Sequence, residues 1–289
     1  MNAKKVYPLF FLVFPLVLYT VFFILPSFIG LALSFTNWNS MGTEIKFVGL
    51  EHFKAIFTET RNLKIIGNTF VFAFFTTIFK NIFGLALALM LNRAFRGRNM
   101  LRTIYFLPVV LAPLIIGLVF KSLYNVDTGM INEALRAIGL GTLAADWLGG
   151  TSTALGAVIL VEVWRMAGQN MVIYVAGLQS ISPDYLEAAD IDGAGPVKKF
   201  LHVTLPQLMP SIRINLILNL IAGLKAFDLI LVMTKGGPAG ATNVMNTAVY
   251  NAYSTGRYGF STAMGMVMFI ITTAIAFVVL RAMSRGEDA

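Results

Sequence analysis

Six stretches of about 20 or more mostly apolar residues recur along this chain, and no fold with a single water-facing surface can hide them all. Runs of this length mark membrane-crossing helices. They lie at about 8–34, 67–91, 103–123, 153–178, 208–233 and 260–281. Only 12% of the 289 residues are charged, against about 25% in an average soluble domain. The fold class that follows is an all-α integral membrane protein with six transmembrane helices. The first run follows Lys4 and Lys5 like a signal peptide, but its apolar length exceeds an h-region of about 7–15 residues. It reads as a retained helix.

Orientation comes from the short loop between the second and third runs. Arg93, Arg96, Arg98 and Arg102 fall close together there with no acid among them, which marks a cytoplasmic loop. Six spans then leave both termini in the cytoplasm, in keeping with Lys4 and Lys5 at one end and Arg281 and Arg285 at the other. The net charge of +8 is explained by basic residues flanking spans, so nucleic acid is not called for. There are no cysteines, and the two histidines, His52 and His202, form no ligand pattern. No catalytic residue set and no metal site is predicted.

The most distinctive water-facing segment is 182–206, which the topology puts on the cytoplasmic side. Ser182-Pro183 is a helix start, since serine caps and proline fits the first helical position. Gly193 and Gly195 break that helix, Pro196 begins a second one, and Pro206 is predicted to end it. Two short amphipathic helices of this size cannot hold a core of their own. They need a partner, the bundle beneath, or the lipid surface, and spacing alone leaves these open.

Charges inside apolar runs are costly and mark functional hypotheses. Lys80 lies in the second run, Glu162 and Arg165 in the fourth, Lys225 and Asp228 in the fifth. The last two sets are spaced i,i+3, so each is predicted to pair along its own helix. Lys80, Lys225 and Asp228 are read as structural intramembrane charges. If Glu162–Arg165 is structural too, exchanging the two residues is expected to preserve folding.

The segment Glu187-Ala188-Ala189, Gly193, Val203, Leu205-Pro206 resembles the signature of permease subunits of bacterial ATP-binding-cassette (ABC) importers. The words Leu-Gln-Ser-Ile-Ser-Pro (178–183) and Ile-Asp-Gly-Ala-Gly (191–195) are similar to the carbohydrate branch. Ala226-Phe227-Asp228 with Thr234-Lys235-Gly236-Gly237-Pro238 resembles its maltose-permease-F-like subunits. The resemblance covers about 65–285. It implies the type I importer permease fold, with an N-terminal helix and external loop over 1–65, a transmembrane domain over 66–283 and a cytoplasmic tail over 284–289.

It further implies a multi-pass protein of the bacterial inner membrane that pairs with a homologous second permease. Two ATPase subunits would carry ATP and Mg2+, and an extracellular or periplasmic solute-binding protein would deliver a sugar, oligosaccharide or polyol. Coupling to the ATPase would run through Tyr185, Glu187, Ala188, Ala189, Asp192, Gly193, Leu205 and Pro206. The sugar-contacting positions of the family would fall on Glu162, Arg165, Met166 and Gln169, and on Asn219, Ala222, Gly223 and Ala226. The chain has no Gly-x-x-x-x-Gly-Lys-Ser/Thr segment, so no cofactor is assigned to it and it is read as a non-enzyme. The competing reading is a stand-alone ion-coupled secondary transporter, which would call for internal repeats.

Overall fold

A computed structural model describes residues 10–42 and 44–284; Lys4, Lys5 and the tail beyond Ser284, with Arg285, lie outside the described residues. The helices in chain order are α1 (Phe10–Leu33), α2 (Glu51–Thr58), α3 (Thr60–Asn92), α4 (Arg98–Val110) and α5 (Pro113–Leu123). They continue with α6 (Met130–Ala137), α7 (Ala154–Gln179), α8 (Pro183–Ile191), α9 (Pro196–Gln207) and α10 (Met209–Leu224). The chain closes with α11 (Asp228–Thr234), α12 (Met245–Ser254) and α13 (Tyr258–Ser284).

Four helices, α1, α3, α7 and α13, are long and apolar enough to cross a membrane unbroken. The third and fifth predicted spans are not straight rods. The third is α4 and α5, meeting at 97°. Proline explains the corner: Pro113 opens α5 and pushes the preceding Ala112 into extended backbone (φ −60°, ψ 135°). The fifth, predicted at 208–233, is α10 and α11 with a non-helical break at Phe227, and α9 meets it at its start with a bend of 66°. There Pro210, in the first turn of α10, has no N–H to continue the ladder from α9. With the four unbroken helices, the two bent pairs give between four and six spans by length and composition among the described residues.

The chain packs as two compact units. One joins the described residues through Leu63 to Ala248–Ile271. In it the Thr36–Phe47 bridge and the Gly259 N–H, which donates to Trp38 O at 2.9 Å, order the loop after α1. None of the described residues of α1 is buried.

The other unit runs from Lys64 to Thr247 and resumes at Thr272. One core cluster joins Phe72 of α3, Ile116 of α5, Val158 and Val161 of α7, and Ile230 and Met233 of α11. A second joins Ala88 and Leu91 of α3, Met171, Tyr174 and Leu178 of α7, and Leu208. Between them, α3 and α7 approach closely: a Cβ on Gly84 would lie 2.3 Å from Asn170 Cβ. In lipid, small residues at helix contacts do this work because packing and polar glue, not the hydrophobic effect, hold helices together.

Candidate functional site

The charged residues of α3 and α7 form one buried cluster. Lys80 is wholly buried, and its Nζ donates to Glu162 Oε1 at 2.7 Å. On the same carboxylate, Arg165 Nε donates to Oε2 at 3.0 Å and Nη2 to Oε1 at 3.1 Å. Both carboxylate oxygens are thus taken, and a single acid serves two bases. The i,i+3 pair forms because both residues sit on one face of α7. The partner from α3 was invisible at that spacing, since it lies in a different helix.

Two further polar contacts involve α7. The Asn170 and Asn219 amides bond each other from α7 to α10, and Tyr174 donates its hydroxyl to Asn81 Oδ1. Asn170, Tyr174 and Asn81 were not singled out from the sequence. An asparagine inside an apolar run is the signal that marks Asn81 and Asn170.

The other positions predicted for the pathway are divided. Met166 and Gln169 are half-buried on α7, and Ala222 is exposed. Asn219 is buried and already paired with Asn170. Gly223 is a packing contact, for a Cβ there would lie 2.7 Å from Ala73 Cα. Ala226 is half-buried against the Ile230 and Met233 cluster.

The expected Lys225–Asp228 pair does not form. The chain leaves the helix between α10 and α11, with Phe227 at φ −151° and ψ −68°. That break abolishes the i,i+3 register, and both charged residues are exposed. Asn246 Nδ2 donates to Lys225 O at 2.7 Å, occupying a carbonyl at the break.

Beyond α11, the Gly-Gly-Pro loop is tied to α3. Asn68 Nδ2 lies 3.1 Å from the carbonyls of Gly240, Ala241 and Asn243, and Met245 N–H donates to Thr69 Oγ1 at 3.0 Å. Asn68 was also missed, because an asparagine at the end of an apolar run looks like an ordinary boundary.

In the 182–206 segment, Ser182 Oγ accepts from Asp184 N–H at 3.4 Å, and Pro183 occupies the first turn of α8. The helix closes as a Schellman motif. Ala194 N–H donates to Ala189 O at 2.9 Å, and Gly193 N–H to Asp190 O at 3.1 Å. Gly193, at φ +72°, is the left-handed residue this closure needs. The turn swings α9 back, and Lys199 pairs with Asp190 across the two helices.

Pro206 does not end the second helix. α9 passes through a π-helical stretch at Phe200–Thr204 and continues to Gln207. The wider turn absorbs a proline that would otherwise clash with the carbonyl one turn back. The break comes at Leu208, which is fully buried among Leu91, Met171 and Tyr174. Leu208 anchors the segment, Ala189 is buried, and Leu205 is half-buried. Tyr185, Glu187, Ala188, Asp192, Gly193 and Pro206 are exposed, as are Ile191 and Val197.

The profile described as "Binding-protein-dependent transport system inner membrane component" matches residues 80–286. The chain belongs to this family. Among its relatives, the multiple sugar-binding transport system permease protein MsmF of Streptococcus mutans is 35% identical, covering 96% of this chain and 95% of that one. The trehalose/maltose transport system permease protein MalF of Thermococcus litoralis is 32% identical, covering 94% and 92%. A crystal structure of a bacterial ABC transporter involved in import of the polysaccharide alginate shares the fold, with a TM-score of 0.84 at 24% identity. The match covers 98% of this chain and 97% of that one. The protein is therefore a multi-pass inner-membrane permease component of an ABC transport system, and not a stand-alone ion-coupled transporter.

Proposed function

We propose that this permease forms half of the pathway of an ATP-driven importer for a sugar, oligosaccharide or related polyol. A homologous second permease supplies the other half. Two ATPase subunits hold ATP and Mg2+ and dock on the cytoplasmic face, and an external binding protein delivers the solute. Both termini then lie in the cytoplasm, with the arginine-rich loop at 93–102 and the α8–α9 pair on that same side.

The observation that carries this reading is the α8–α9 pair. It is closed by Gly193 and anchored at its end by buried Leu208, yet it leaves Tyr185, Glu187, Ala188, Ile191 and Val197 uncovered. A firm mount with an open apolar-and-acidic face suits a part that must transmit force to a partner. ATP binding to the ATPases favours one arrangement of the bundle by differential affinity, and the segment passes that preference to the spans. Along the pathway, Glu162 holds the Nε and Nη2 side of Arg165. The guanidinium then offers its remaining donors to hydroxyl oxygens of the solute.

Co-purification tests the coupling. The ATPase subunits are expected to accompany the wild-type permease and to be lost from Glu187→Ala and Gly193→Val. Intact association and uptake in both variants would remove the coupling role.

A further inference from the structure

We infer that the corner between α3 and α4 is a specific site for one anionic phospholipid, with the phosphate on the arginine loop and an acyl chain in the groove beneath it. The inference rests on the protein's being membrane-embedded and is independent of which solute it moves.

Arg93 and Arg96 are exposed, Arg98 is half-buried, and none of the three has a salt-bridge partner among the described residues. Basic residues near a span end require only a cytoplasmic location. Here, however, the loop is also shaped. Gly97 turns it in the left-handed region (φ +94°), and α4 begins without a side-chain cap. Arg102 Nη2 donates to Leu91 O at 2.7 Å, clamping the end of α3 to α4, while its Nε is buried without a partner. Three arginines and an uncapped helix start therefore lie within six residues at the turn between α3 and α4.

The apolar side lies farther along the same two helices. A cavity of about 420 Å3 is lined by Phe83 and Leu87 of α3, Ile104 and Pro108 of α4, and Leu160 and Trp164 of α7. At about 1.5 Å of rise per residue, Leu87 and Ile104 each lie roughly 9 Å along their helices from Arg93 and Arg98. Phe83 and Pro108 lie roughly 15 Å away by the same measure. That is the depth an acyl chain reaches below its own phosphate. The groove's lining is mainly aliphatic and aromatic, with Tyr105 and Trp164 as its only side chains that carry a hydrogen-bonding group, so it suits an acyl chain better than a sugar's many hydroxyls. Charge complementarity thus selects the headgroup, and depth selects the chain: a phosphodiester lipid with net negative charge. Zwitterionic lipid would meet the same groove but leave the arginines' charge uncompensated.

Native mass spectrometry of the assembled transporter from phosphatidylglycerol or phosphatidylcholine nanodiscs tests this. One phosphatidylglycerol is expected to stay with the permease through detergent stripping. The triple variant Arg93→Gln, Arg96→Gln, Arg98→Gln keeps the Arg102 clamp, and its retention is expected to fall on the order of a hundredfold, about fivefold per arginine. Leu160→Trp adds bulk to the groove's lining at an exposed position, and is expected to cost on the order of tenfold, about two buried methylenes. Phosphatidylcholine held as firmly as phosphatidylglycerol would overturn the proposal, as would unchanged retention in the triple variant. Protection of the arginines from phenylglyoxal only when ATPase subunits are bound would make a protein surface the occupant, and would overturn it too.

Discussion

Lys80 and Glu162, eighty-two residues apart, form a 2.7 Å ion pair in which the lysine is fully buried and the same carboxylate also grips Arg165. The acid is therefore the keystone of the cluster. Removing it strands two cations; removing either base leaves one pair intact. Desolvated charges without partners are what make such losses large.

Unequal costs follow for the two ends of the pair. Glu162→Gln is expected to destabilise the protein by roughly 3–5 kcal/mol, and Lys80→Met to stay within about 1 kcal/mol, since an apolar side chain replaces a buried cation whose acid keeps Arg165. Thermal unfolding of the two variants in matched detergent checks the order.

Exchanging Glu162 and Arg165 separates this account from the one drawn from helix spacing. Spacing alone makes the swap harmless. With Lys80 opposite position 162, the swap brings an arginine against a buried lysine, and like charges at that range repel strongly. The double variant Glu162→Arg, Arg165→Glu is expected to lose assembly, and adding Lys80→Glu to restore a substantial part of it, as read by size-exclusion yield.

Gly223 and Ala222 are neighbours with different fates. Gly223→Val forces a side chain into Ala73 and is expected to cost about 1–3 kcal/mol or more. Ala222→Val, at an exposed position, is expected to leave folding unchanged. Uptake can then be compared in a folded protein, which makes Ala222 and not Gly223 the useful probe of the proposed pathway.

Asn68 joins three loop carbonyls to α3. Asn68→Ala is expected to cost about 1–3 kcal/mol by stranding partly buried acceptors. Hydrogen exchange should quicken selectively in residues 236–243, because the loop and not the bundle loses its tie.

What could be read from the chain, and what could not, divides by range. Span positions, the Ser182–Pro183 start and the need for glycine at 193 are local matters of hydropathy, capping and backbone geometry. The Glu162–Arg165 pair is local too, set by helical register. Lys225–Asp228 used the same rule and failed, because the helix ends at the contact with α12 made through Asn246. The bends within the third span and at the start of the fifth had their prolines in plain view at Pro113 and Pro210. Hydropathy averages over such corners, and a proline inside a span signals a kink without saying how sharp. Lys80–Glu162, Asn170–Asn219 and the Asn68 tie join distant parts of the chain, so no window on the sequence contains both partners.

The central claim is that the α8–α9 face carries ATP-driven motion into the spans. The most direct measurement is solute uptake by proteoliposomes holding both permeases, the ATPases and the binding protein. Wild type is compared with Glu187→Ala, Gly193→Val and Gly193→Asn. Uptake is expected to require ATP and to collapse in Glu187→Ala and in Gly193→Val, where a β-branched residue must adopt left-handed backbone at about 1–2 kcal/mol. Gly193→Asn, which tolerates that backbone, is expected to retain most of it. Full ATP-driven uptake in Glu187→Ala and Gly193→Val, with the ATPases still bound, would contradict the account.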